Sequence, residues 1–145
     1  MVSPEQAIDP PAPSSPPSPT LSVAASPHQL GVLRALARTA AAQYPLSVDA
    51  LTDLLLAVDE AATTLVGHAR PSTDLTCTFG VDIDGNLNVR LSVGTSAPIN
   101  LSTTSFGWIV LQTLVDDVIF EQFPTNVEEG WAVTIILNKA LQTGS

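Results

Sequence analysis

Cysteine, basic residues and aromatics are all scarce in this chain. Cys77 is the only cysteine among 145 residues, so no intrachain disulfide can form and an intracellular chain is the simpler reading. A lone Cys on a strand-like apolar face reads as a core residue. Five Lys and Arg stand against fourteen Asp and Glu, a formal net charge of −9 and a pI near 4.2. That balance opposes nucleic-acid binding, which needs cationic side chains to displace the counterions of phosphate. It suits a basic protein partner, and it equally serves solubility alone. The hydrophobic fraction is 45%, yet no apolar run reaches the roughly 18 residues that span a bilayer. The N-terminus lacks the basic region and apolar stretch of a secretory signal. The expectation is a soluble, cytoplasmic protein that binds neither nucleic acid nor membrane. Also missing are the GxSxG, P-loop and GxGxxG patterns, and His28 and His68 have no spacing that suggests zinc.

What is present is one domain's worth of chain, able to bury roughly 68 to 70% of the surface its unfolded form exposes. Residues Met1 to Thr20 hold seven of the twelve prolines with Ser and Ala, and such a segment cannot offset its ordering entropy by burial. It reads as a disordered or polyproline-like tail whose PxxP-like spacings suit a proline-reading partner. The ordered domain is expected over residues 21–140.

Leu21 and Val23 make a short candidate strand. Ser26, Pro27 and Gln29 then read as a capping box opening a helix, with Leu30, Leu33, Ala37, Ala40, Ala41 and Tyr44 on its buried stripe and Pro45 as its stop. Arg34 and Arg38 lie off that stripe, as a solvated face or a partner contact. Ser47 caps a second helix, with Asp49 favourable at its positive end. Along it Leu51, Leu54, Leu55, Val58, Ala61, Ala62, Leu65, Val66 and Ala69 recur at three and four, while Asp53, Glu60, Thr64, Gly67 and His68 fall on the opposite side. Leu75, Cys77, Phe79 and Val81, then Leu87, Val89, Leu91 and Val93, alternate with polar residues about Asp84-Gly85, which predicts a hairpin. Gly94 to Thr104 reads as a lid or binding loop. Helical period returns from Ser105 to Phe120, an acidic turn is expected over Glu121 to Gly130, and Trp131 to Leu137 reads as a last strand. Helices apolar on one side and a sheet with one alternating face predict an α+β, two-layer α/β sandwich: a mixed, mostly antiparallel sheet with three main helices on one face.

The run DLLLAVDEAATTLVGHA, Asp53 to Ala69, closely resembles the AVDEAVTNAxxHA helix of the RsbW-type anti-sigma factors, serine protein kinases with the histidine-kinase-like (GHKL, Bergerat) ATPase fold. FGWIVLQTLVDDV resembles that family's third long helix and GWAVTIIL its final strand. The resemblance implies ATP and magnesium as cofactors and places Glu60 where the family has its general base, a role that needs a carboxylate within reach of the proton. It places Thr64 where an Asn side chain holds magnesium; a hydroxyl there has a different reach. Val93, Gly94 and Thr95 align with the DxGxG whose Asp binds adenine, and valine accepts no hydrogen bond. Of the glycine box Gly107 remains, with Ser105 and Trp108 replacing a Gly and a Leu. These departures imply a degenerate nucleotide site, since phosphoryl transfer depends on positioned metal and charge. The resemblance also implies an alternative sigma factor as partner, contacted at Arg34, an anti-anti-sigma factor that counters it, and a homodimer. The alternative is an active ATP-dependent serine kinase acting on the anti-anti-sigma factor.

Overall fold

The computed structural model describes residues 18–126 and 130–142. The proline-rich segment before Ser18 lies outside the described residues, and strand β1 (Thr20–Ala24) already takes in Thr20. Ser26 accepts from His28 N–H at 3.3 Å and opens a 3₁₀ turn, Pro27–Gln29, that runs into α1 (Leu30–Ala41). The expected reciprocal box is not made, because Ser26 N–H donates to Ala24 O at 2.8 Å. Its helix-start signal marks a tighter 3₁₀ entry instead. Helix α2 (Val48–His68) begins as the sequence predicts, with Ser47 Oγ accepting from Ala50 N–H at 3.0 Å and Asp49 in the first turn.

Strands β2 (Asp74–Val81) and β3 (Asn86–Thr95) form the expected hairpin. Gly85 supplies the positive φ of +81° that the turn requires. Asp82 holds the turn by accepting from Asn86 N–H and Asp84 N–H, each at 2.9 Å. The Asn86 bond is the main reason its carboxyl titrates below the usual range.

The helix predicted from Ser105 to Phe120 is two elements. Helix α3 (Phe106–Leu114) ends at Val115, and Asp117–Pro124 is strand β4, paired with β5 (Trp131–Ala140). Val115 to Phe120 contains Asp, β-branched and aromatic residues, which favour a strand over a helix once a partner is available. Asp116 locks the switch: its N–H donates to Asn138 O at 2.9 Å, and its carboxylate accepts from Ala140 N–H at 2.6 Å. The acidic turn is correspondingly shorter, since Glu121 to Pro124 belong to β4, and residues 127–129 of it lie outside the described residues.

The sheet order is β1-β2-β3-β5-β4. All four pairings are antiparallel, so the parallel part of a mixed sheet is not found among the described strands. Leu75, Cys77 and Phe79, Leu87, Val89 and Leu91, and Val133, Ile135 and Leu137 are fully buried and pack with the stripes of α1 and α2. The opposite face is mostly polar, with Thr78, Asn88, Arg90, Ser92 and Thr134 along it, and Ile119 and Ile136 at its β4 end.

Burial pushes the Cys77 thiol up to about 12, so at pH 8 it is protonated and enclosed. Cys77 is expected to resist a thiol-specific chromogenic reagent in the folded protein and to react within minutes in 6 M guanidinium. Equal rates in the two conditions would contradict its core position.

Candidate functional site

Glu60 and Thr64 stand one turn apart on α2 and face the start of α3, so the two helices meet where the sequence predicts chemistry. Four of the predicted residues, Glu60, Thr64, Ser105 and Gly107, line one cavity of about 240 Å³ with Leu101, Trp108, Leu111 and Ile135. Ser105 caps α3, accepting from Trp108 N–H at 3.3 Å. Gly107 marks a close approach: a Cβ there would lie 2.6 Å from Glu60 Oε1 and would turn that carboxylate aside. The carboxylate of α2 therefore sits against the first turn of α3, where a negative charge is favourable.

The chemistry available in this cavity is narrow. Thr64 Oγ1 donates to Glu60 O at 3.0 Å, so its hydroxyl proton is engaged within its own helix. Trp108 Nε1 is buried and finds no partner among the described residues, an unmet donor in the wall. The loop above is fastened. Gln122 Oε1 accepts from Ile99 N–H at 2.9 Å, and Gln122 Nε2 donates to Ile99 O at 3.1 Å. This pairing draws the segment after β3 down on β4 and buries Ile99.

Val93 and Thr95, predicted for the same site, do not line this cavity. They lie on the helix-facing side of β3 and are 4% and 1% exposed; Thr95 Oγ1 donates to Ala97 O at 2.7 Å. Gly94, between them, faces the other way. Its N–H donates to Thr73 Oγ1 at 3.0 Å, and a Cβ would come within 2.9 Å of both Arg70 Nε and Thr73 Oγ1, so only glycine fits without a shift.

The fit of a magnesium nucleotide is poor on these observations. The cavity falls below the roughly 300 to 1,000 Å³ typical of ligand pockets. Val93, which the resemblance sets at the adenine-binding Asp, is apolar and buried, and Thr64, which it sets at the magnesium-holding Asn, offers a hydroxyl of shorter reach.

Arg34 lies elsewhere, on α1 against α2. Its Nε and Nη2 donate to Asp59 Oδ1 at 3.1 and 2.7 Å. Together with Arg38, Val48, Leu51, Leu55 and Leu56 this pair lines a groove of about 230 Å³. Val48 and Leu56 are 80% and 54% exposed. Sequence reasoning missed Leu56 as a functional candidate, although it is apolar and off the buried stripe, which is the signal that marks an exposed contact.

No family model matches the chain. It is 36% identical over 98 residues, 68% of its own length, to the anti-sigma-F factor RsbW of Mycobacterium tuberculosis, with the same values in strains CDC 1551 / Oshkosh and H37Rv. The chain spans 58% of the length of these relatives. Its fold matches a crystal structure of the RsbU and RsbW domains of Rv1364c from Mycobacterium tuberculosis with a TM-score of 0.58 at 18% identity, covering 92% of this chain and 36% of that one. The fold is thus shared with that structure, and by its 36% identity to these relatives the chain belongs to the RsbW-type family.

Proposed function

We propose that this protein is an anti-sigma factor that binds and sequesters an alternative sigma factor, is countered by an anti-anti-sigma partner, and works as a homodimer with a degenerate nucleotide site. The observation that carries this reading is the 36% identity to proteins named anti-sigma-F factor RsbW, supported by a small cavity in which Thr64 stands where the resemblance expects the metal-holding Asn. Binding, unlike phosphoryl transfer, asks only for a surface. The groove sets Arg38 and the Arg34–Asp59 pair beside exposed aliphatic side chains, and arginine among apolar groups is common in binding hot spots. No helix among the described residues is long and apolar enough to cross a membrane.

The second reading, an ATP-dependent serine kinase acting on the anti-anti-sigma factor, is favoured by one observation. Glu60 still lines the same cavity as Ser105 and Gly107.

Co-elution of the purified chain with an alternative sigma factor from its own cell tests the proposal. A stable complex is expected, weakened at least about tenfold, or ~1.4 kcal/mol, by Arg34→Glu. The stability of that variant should stay within about 1 kcal/mol of wild type, because the Arg34–Asp59 pair is exposed and such pairs contribute little. Absence of a complex with every sigma factor of that cell overturns it.

A further inference from the structure

Strand β4 ends the sheet, so among the described residues one of its two sides has no strand beside it. Thr125 N–H donates to Gly130 O at 2.9 Å, and the β4–β5 register pairs residues whose numbers keep that sum, from Pro124↔Trp131 to Asp117↔Asn138. Hydrogen-bonded and open pairs alternate in an antiparallel ladder. The N–H and C=O groups of Val118, Phe120 and Gln122 therefore point away from β5. Among the described residues no backbone bond outside the ladder involves residues of β4. A row of unmet donors and acceptors of this kind is a template for one more strand.

Side chains on the open face of β4 say what that strand would carry. Asp117, Ile119, Glu121 and Phe123 alternate acid and apolar along it. Ile119 is 38% exposed and Phe123 60%. Glu121 has Arg90 as its opposite charge, at 3.9 Å with both side chains solvated. The opposite edge, β1, is five residues long and presents Thr20, Ser22 and Ala24 on that face, so it has no such pattern.

We propose that the outer edge of β4 is a docking site for an extended segment of a partner protein, bound by strand addition, with a basic residue at every fourth position and apolar residues between. Cross-strand neighbours then pair cation with carboxylate at Asp117 and Glu121, and apolar with apolar at Ile119 and Phe123. Main-chain bonds from Val118, Phe120 and Gln122 supply affinity, and the alternating side chains supply register. The chain's charge of −9 draws such a segment in. A second copy suits the edge poorly. In a two-fold pairing that keeps the faces aligned, each register centred within residues 118–122 sets a carboxylate of the open face against another carboxylate or against an apolar side chain. The proposal does not rest on the anti-sigma role, and neither would fall with the other.

The test is a titration of the full-length, ¹⁵N-labelled chain with an end-capped nine-residue peptide bearing lysine at its first, fifth and ninth positions, valine at its third and seventh, and threonine elsewhere. The amides of Val118, Phe120 and Gln122 are expected to shift and saturate. N-methylation of one alternate set of peptide amides should abolish binding, while the other set leaves it within about twofold, since only one edge of the peptide bonds to β4. Glu121→Lys should weaken binding about three- to tenfold. The peptide arms stand even if that variant fails to fold. Equal binding by a scrambled peptide with adjacent lysines, insensitivity to N-methylation, or shifts confined to another surface would overturn the proposal. So would sedimentation that shows a dimer whose dilution shifts the same β4 amides.

Discussion

Phe79→Ala is expected to destabilise the fold by about 3–5 kcal/mol, a large part of the 5–15 kcal/mol that holds a typical domain together. Phe79 is fully buried on β2, and its ring stacks on that of Tyr44 with centroids 6.2 Å apart and planes 13° from parallel. Tyr44 follows α1, so this contact joins the end of the first helix to the middle of the sheet. Truncation would remove the stacked pair and leave a void between two layers whose remaining side chains, from Leu33 to Leu91, are already packed. Phe123→Ala is the internal control. That ring is 60% exposed, and its loss should change stability by no more than about 0.5 kcal/mol. Urea denaturation of the two variants beside wild type measures both; similar midpoints for the two would mean that the ring pair of Tyr44 and Phe79 is not a structural joint.

The contrast between these two phenylalanines also marks what was legible in the sequence. Phe79 lies in an alternating run closed by Asp84-Gly85, and both the run and the turn are local signals that survive in the fold. The same holds for α2, where spacing and a Ser47 cap agree. Phe123 lies beyond a stretch, Val115 to Phe120, in which apolar residues satisfy helical and strand period at once. What decides between them is the β5 ladder and the bonds of Asp116 to Asn138 and Ala140, and those are distant in sequence. Local propensity is a weak prior where a tertiary partner is present.

The candidate site divides in the same way. Glu60, Thr64, Ser105 and Gly107 converge because each belongs to an element whose start or face is locally encoded. Val93 and Thr95 read equally well as site residues by alignment, yet their alternation with Ser92 and Gly94 assigns them to the helix-facing side, and burial follows. The bond between Gln122 and Ile99, which fastens the loop, left no mark in the sequence, since a glutamine amide on a strand predicts no partner. Arg34 was identifiable as lying off the buried stripe, but its bond to Asp59 depends on how α1 and α2 cross.

Val93→Asp, which returns a carboxylate to the adenine position of the family, is expected to cost about 3–5 kcal/mol at pH 7 rather than to create a nucleotide site. Val93 is 4% exposed within the apolar cluster. Of the chain's five basic residues, four are placed elsewhere in the fold, and the fifth, Arg70, runs along the other side of β3. Arg34 is held by Asp59, with Arg38 in the same groove; Arg90 is beside Glu121, and Lys139 donates to Leu114 O at 2.8 Å. Arg70 lies against Gly94 on the opposite side of the strand. An unpaired carboxyl in such a place has its folded-state pKa raised by desolvation. Below the unfolded carboxyl's value of about 3.9 both states are protonated and the charge penalty is absent. As pH rises the unfolded state ionises first, so stability falls until the folded pKa is passed. The deficit of Val93→Asp should therefore be larger at pH 7 than at pH 4, while that of Val93→Asn should be nearly the same at both. In calorimetric titrations with millimolar magnesium ATP, neither wild type nor Val93→Asp, alone or with Thr64→Asn, is expected to release binding heat. Saturable binding by wild type would overturn the degenerate-site proposal and favour the kinase. Binding that appears only in the Val93→Asp, Thr64→Asn double variant would instead mean that the surrounding core yields to a nucleotide, and that degeneracy rests on those two side chains rather than on the packing around them.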